Sequence, residues 1–260
     1  MKIFKKHGFV NSFLRERPKL YDQSRIIGDS ISENKAEYFQ VFKRLTNHYN
    51  GKINFVQIGA NDGLRNDPVR DFVVRYDWSG VLVEPLPYSF QSLVKNYSYL
   101  DLQSVFFENV AIGEDDQPDL DFWSYKDSFL DDLSHEQKEG YRRKSSFIKD
   151  HLLKFLPEGN NGDGIVESIP VKIMSVKTLM AKYGMNHNEL NLLAVDAEGF
   201  DHLIIESTLK DNIKPEVIYF ESHHSEDNEP FFDKLRSFGY VVEEYRRDSI
   251  AIIPELSNLL

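Results

Sequence analysis

The sequence predicts a doubly wound α/β domain with a mostly parallel sheet that closes in an antiparallel hairpin. Three observations carry this prediction. Short segments that are apolar on both faces recur along the chain, as the strands of a covered parallel sheet require. Amphipathic helical segments fall between them. The final stretch, GYVVEEYRRDSIAIIP, reads instead as two strands joined by a short polar turn.

Taken in order, residues 1 to about 50 hold no alternating strand pattern, and Tyr38, Val41, Phe42 and Leu45 share one helical face. This segment is expected to be a helical lead-in, with residues 51–260 forming the main domain. NFVQI, GVLVE (80–84), SVFFENVAI (104–112), NLLAVD (191–196) and EVIYFE (216–221) are the expected parallel strands. Val69, Phe72, Val73 and Tyr76 share a helical face, as do Phe231, Leu235 and Phe238. About eighty residues separate the third strand from the fourth, too many for an ordinary crossover. They contain a strand, LDFWSY, a charged helical stretch from Leu133 to Phe155, the loop PEGNNGDG, and IPVKIMSVKTLMAKYG, a strand followed by a helix. An insertion at about 125–165 would lie over the carboxyl edge of the sheet, where such folds bind ligands. The bland alternative is a surface decoration.

Composition narrows the function. A net charge of −11 disfavours a phosphate-backbone partner, because non-specific nucleic-acid binding is driven by Lys and Arg releasing counterions. A small substrate or a neutral or cationic partner fits better. The absence of cysteine excludes disulfides and thiolate metal sites. The basic start, MKIFKKHGFVNSFLRERPKL, lacks the apolar core of a signal peptide, and no later segment is long enough to span a membrane. The expectation is a cytoplasmic protein with no membrane partner and an open oligomeric state.

The stretch NFVQIGANDG carries the chemistry. A dinucleotide fingerprint would read GxGxxG, and its middle glycine lets a pyrophosphate press on bare backbone. Here Gly59, Ala60, Asn61, Asp62 and Gly63 place Asn61 at that position. Asparagine tolerates the left-handed conformation the turn needs but occupies the space of the pyrophosphate, so the knot suits a nucleoside cofactor without one. Glu84 ends the second strand 21 residues beyond Gly63, where a carboxylate can accept both ribose hydroxyl protons. Asn109, Val110 and Ala111 fit either the wall of an adenine site or an ordinary strand end. A glycine pair alone has a steric explanation; strand, knot, helix, strand and acid in this order make the stronger case.

VQIGANDG, GVLVEPLPYSFQSLVKN, ENVAIG, LLAVDAEGFDHLII and KPEVIYFE together resemble the FkbM family of methyltransferases. The resemblance runs from about Asn54 to Ser222 and implies the Rossmann-like class I methyltransferase fold and S-adenosylmethionine as cofactor. It implies that Gly59, Ala60, Asn61 and Gly63 line the methionine portion, that Glu84 binds the ribose and that Asn109, Val110 and Ala111 neighbour the adenine. Asp196 would sit beside the methyl group. Related sequences usually carry an acid two residues before the first glycine, where this one has Gln57. The family acts on hydroxyls of varied sugars, polyketides and other metabolites, so the expected activity is O-methylation of a carbohydrate or related small metabolite.

An alcohol needs a general base or a cation to become a nucleophile at neutral pH. The suitable groups at the carboxyl edge lie in DAEGFD (Asp196, Glu198, Asp201) and ESHHSED (Glu221, His223, His224, Glu226, Asp227). In one reading Asp196 and Glu221 hold Mg²⁺ or Mn²⁺, as related O-methyltransferases do from matching strand ends. In the other no metal binds and His223 or His224 acts as base. Asp201 reads as a helix cap. Tyr141 to Lys144, YRRK, fits either an anionic substrate group or a solvated face, and Phe122, Trp123 and Phe129 fit either sugar stacking or core packing. A nicotinamide-dependent oxidoreductase and a non-catalytic binding module are the competing classes; Asn61 and the lack of a YxxxK pair argue against the first.

Overall fold

The computed structural model describes residues 36–64, 67–76, 78–100, 102–157, 160–222 and 227–260. Its central sheet contains β1 (Asn54–Ile58), β2 (Ser79–Val83), β3 (Val105–Glu108), β7 (Leu192–Val195), β8 (Val217–Glu221), β9 (Val241–Tyr245) and β10 (Asp248–Ile252). The order is β3-β2-β1-β7-β8-β10-β9. The first five strands are parallel, and β10 runs antiparallel to both β8 and β9. The chain therefore passes β8's edge, forms β9 outside, and returns to insert β10 between them. This departs from the 3-2-1-4-5-6 order of dinucleotide folds.

Strand alternation divides the core into two layers. Phe55, Leu82, Ala194 and Tyr219 face one cluster, shared with α1 (Ala36–His48), α2 (Arg70–Arg75) and α3 (Pro87–Tyr97). Val56, Val81, Leu193 and Ile218 face the other, shared with α7 (Val176–Lys182), α8 (Asp201–Lys210) and α9 (Glu229–Ser237). The four apolar residues of the lead-in helix are all buried, and Phe42 packs against Phe72, Trp78 and Tyr219. Residues 1–35, including the basic start, lie outside the described residues. No helix among the described residues is long and apolar enough to cross a membrane.

The long middle segment builds a second sheet that the sequence pattern did not reveal. β5 (Gln117–Tyr125) pairs antiparallel with β6 (Val166–Met174), and β4 (Ala111–Ile112) joins β6 in parallel. The single strand expected over 104–112 thus breaks after Glu108: its first half stays in the central sheet and its second half crosses to the small one. The single charged helix expected from Leu133 to Phe155 is also broken, into α5 (His135–Arg142) and α6 (Lys149–Leu153), after the short α4 (Asp127–Leu130). The reason is local. Ser145 Oγ donates to the Arg142 carbonyl and ends α5, while Ser146 exchanges two backbone hydrogen bonds with Trp123 of β5. Residues 143–148 consequently form a turn and a single β-bridge that link α5 to α6.

The aromatic cluster around Phe42 makes α1 an integral part of the domain. Truncating this fully buried ring by Phe42→Ala should lower the unfolding free energy by about 3–5 kcal/mol, by analogy with large-to-small core substitutions. Urea denaturation followed by tryptophan fluorescence would measure this, and a change below about 1 kcal/mol would show that α1 is only loosely attached.

Candidate active site

The site begins where β1 ends. The amides of Gly59 and Ala60 both donate to the Val83 carbonyl of β2, at 3.0 and 2.9 Å. On the other side Gly59 lies against β7: a Cβ added there would stand 1.9 Å from the Asp196 carbonyl oxygen, and φ is +76°. Only glycine fits this crossing. Asn61 follows at φ 49°, the left-handed conformation expected of it. Gly63 is also left-handed, but its missing side chain makes room for Leu93 and Tyr97 of α3. It does not face the cleft. Behind the loop, buried Arg70 donates to the Gly63 and Asn96 carbonyls and to the Tyr99 hydroxyl, and its guanidinium stacks on Tyr97.

Glu84 lies one residue beyond β2 and is buried. Its Oε2 accepts from the Asn61 amide and its Oε1 from the Leu86 amide, both at 2.9 Å. These two amides favour the carboxylate, yet burial outweighs them and pushes the pKa up to about 7, with Asp62 adding to the rise. A carboxylate has about four lone-pair sites, so two remain for ligand hydroxyls. Asn109 donates to the Glu84 and Pro85 carbonyls at 2.8 and 2.9 Å. It braces the loop after β2 from behind and, contrary to the expected place beside an adenine, is not part of the cleft wall.

These elements border a cleft across the carboxyl edge of the sheet, with two lobes that share Gly59, Asn61, Asp196 and Arg143. The first encloses about 740 Å³ including its open mouth. Leu86, Val110, Ala111 and Phe122 give it apolar walls, and Glu84 and Ser89 give it polar ones. The second encloses about 560 Å³ and is the more polar of the two: Gln57, Asp196, Tyr219, Glu221 and Asp248 line it together with Ala60. The bridge formed by residues 142–147 roofs the first lobe. Phe147 packs edge-on against Phe200, with centroids 5.7 Å apart, and His151 Nε2 lies 3.6 Å from Glu198 Oε2. Glu198 at φ 48° and Gly199 at φ 98° form the turn that presents both partners. Asp201 does more than open its helix: it is buried, and its Oδ2 accepts from the Ala197 amide at 3.3 Å, fixing the same turn.

Three buried polar atoms that line the cleft have no partner within the protein: Gln57 Oε1, Asn61 Oδ1 and Ser89 Oγ. Buried polar groups are nearly always satisfied, so orphans gathered in one cleft point to a ligand that completes them. With Glu84 they form a set that fits a nucleoside carrying an amino-acid tail: hydroxyl acceptors in one lobe, amine acceptors in the other.

The second lobe concentrates negative charge. Asp196 reaches solvent through the cleft, but its crowded surroundings and the carboxylates of Glu221, Asp201 and Glu198 push its pKa well above the usual range. Glu221, the last residue of β8, pairs with Arg247 at 3.2 Å. Asp248 accepts from the Tyr219 hydroxyl, and burial together with Asp248 holds that phenol protonated. Among the described residues no three His, Cys, Asp or Glu side chains converge as metal ligands. Arg247 relieves the like charge from the Glu221 side instead. His223 and His224 lie outside the described residues. Sequence reasoning missed Tyr219 and Asp248, although the expected hairpin held the signal. An antiparallel last strand necessarily begins at the edge where parallel strands end, and Asp248 is in register with Glu221.

The sequence model described as the methyltransferase FkbM domain matches residues 57–245. No curated protein matches the chain. Among solved structures, the methyltransferase FkbM of Methylobacillus flagellatus KT is similar at 9% identity and a TM-score of 0.47, over 78% of this chain and 44% of that one. Monomeric WbdD gives 8% and 0.45, over 94% and 47%, so this chain spans less than half the length of either. Precorrin-6y C5,15-methyltransferase from Geobacter metallireducens GS-15 gives 13% and 0.40, over 86% and 92%. The family match covers the glycine turn, the roofing insertion and both acidic strand ends, and on it the chain belongs to the FkbM methyltransferase family.

Proposed function

We propose that the protein transfers a methyl group from S-adenosylmethionine to a hydroxyl of a carbohydrate or a related polyhydroxylated metabolite. The observation that carries the cofactor assignment is Glu84, held by two backbone amides with its free lone pairs toward the first lobe. Bound S-adenosylmethionine supplies an electrophilic methyl, which leaves the protein to hold the cofactor, align the acceptor and take its proton. Glu84 holds the ribose hydroxyls, Val110 and Ala111 pack the base, and the orphaned oxygen of Asn61 accepts from the amine of the tail. The polar second lobe supports a hydroxylated acceptor. Asp196, which lines both lobes, is placed to take the hydroxyl proton.

S-adenosylhomocysteine should raise the melting temperature and NAD should not, and Glu84→Ala should remove most of the shift. Because the free Glu84 pKa is about 7, the group is largely protonated at pH 6 and gains the lone pairs that hydroxyls need as pH rises. Affinity for S-adenosylhomocysteine should therefore increase about tenfold between about pH 6 and pH 8, and the step should vanish in Glu84→Gln. Calorimetry that finds a flat profile in the wild type would contradict the role of Glu84.

Transfer of labelled methyl should be found on screening free sugars, glycosides and nucleotide sugars. Asp196→Asn should lower kcat by about a hundredfold or more while S-adenosylhomocysteine binds within about threefold of wild type. Label recovered only on amines or thiols would overturn the hydroxyl assignment.

A further inference from the structure

The acidic lobe has more carboxylates than proton transfer needs. Asp196, Glu221 and Asp248 arrive from β7, β8 and β10, three neighbouring strands, and line one space with Arg143. Arg247 pairs with Glu221 at an exposed position. The rest of the lining combines a fourth carboxylate, Asp67, with acceptors, an aromatic ring and aliphatic groups. Gln57 is 3% exposed and its Oε1, which has no partner within the protein, belongs to the same lobe. Tyr219 presents a ring whose hydroxyl is committed to Asp248. A space walled by carboxylates, an unsatisfied acceptor and a π face is built for positive charge.

We propose that Asp196, Glu221 and Asp248 make the cleft select for a cation at the junction of its lobes, so that the protein binds the sulfonium form of its cofactor in preference to the thioether product. The inference rests on the cofactor reading above. S-adenosylmethionine and S-adenosylhomocysteine share the adenosine, the ammonium and the carboxylate. They differ by one methyl group and one positive charge. Transfer forms a bond from the acceptor oxygen to the methyl and breaks the one from sulfur, leaves that electron pair on a neutral sulfur and delivers the acceptor proton to the protein. Attraction between the acids and the ligand then drops in the step that makes product. Glu221 and Asp248 act as specificity-determining residues, separate from the ribose grip of Glu84.

The test compares dissociation constants of the two ligands by calorimetry, without acceptor. Wild type at low salt should bind S-adenosylmethionine at least about tenfold more tightly, which is about 1.4 kcal/mol. The ratio should fall below about threefold in Glu221→Gln and Asp248→Asn, with S-adenosylhomocysteine affinity little changed. Raising ionic strength from about 50 mM to 500 mM should shrink the wild-type ratio, a readout that survives if a variant fails to fold. Equal or weaker binding of the sulfonium form in wild type would overturn the proposal and leave the cofactor assignment intact. A preference unchanged in both folded variants, or unchanged by salt, would remove these acids as its source. Binding of neither ligand would overturn the cofactor assignment itself.

Discussion

The cleft depends on one contact, the passage of Gly59 between two neighbouring strands. The chain leaving β1 gives two amides to the Val83 carbonyl on one side and lies against the Asp196 carbonyl on the other, with no room for a side chain. That crossing fixes where Asn61 turns. The Asn61 amide in turn fixes one oxygen of Glu84, and Asn109 anchors the loop that carries Glu84. Glycine here sets the spacing of the two lobes before any ligand contributes. A side chain at this position would push the ends of β1 and β7 apart, and Asp196 with them.

Much of this was legible in the sequence because it rests on local chemistry. Gly59 and Asn61 announce a strained turn, Glu84 ends an apolar run, and the terminal hairpin follows from its polar turn. What escaped depends on partners distant in the chain. The break after Glu108 is set by β6, more than fifty residues away, which captures Ala111 and Ile112. The break after Arg142 is set by Trp123. Gly63 looks like a ligand glycine by spacing, but Leu93 and Tyr97 decide its role. Arg70 owes its buried place to the carbonyls of Gly63 and Asn96, which the fold brings to it. Asp248 becomes a cleft residue only because β10 inserts beside β8 instead of following β9 outward.

Two solutions to crowded negative charge coexist in the site. Glu84 and Asp201 are buried singly, satisfied in part by backbone amides, and answer burial with raised pKa values, each to about 7. Asp196, Glu221 and Asp248 are grouped at an open lobe, where an arginine and a tyrosine hydroxyl share the load. The first arrangement holds geometry at the expense of a titration near neutrality. The second holds a field, whose value to the protein lies in what enters the cleft.

The stitch between Ser146 and Trp123 has a mechanical consequence. Its two backbone hydrogen bonds join the roof of the cleft to β5, and β5 is zipped to β6 along nearly its whole length. The roof therefore has no freedom to flap as a lone loop: it lifts either by breaking that stitch or by rocking together with the small sheet. Collective motions of this kind run on microseconds to milliseconds, whereas a free loop moves in nanoseconds to microseconds. The clock of ligand entry and exit is then set by a lever of three strands, and its pivot lies where Glu108 hands the chain from one sheet to the other.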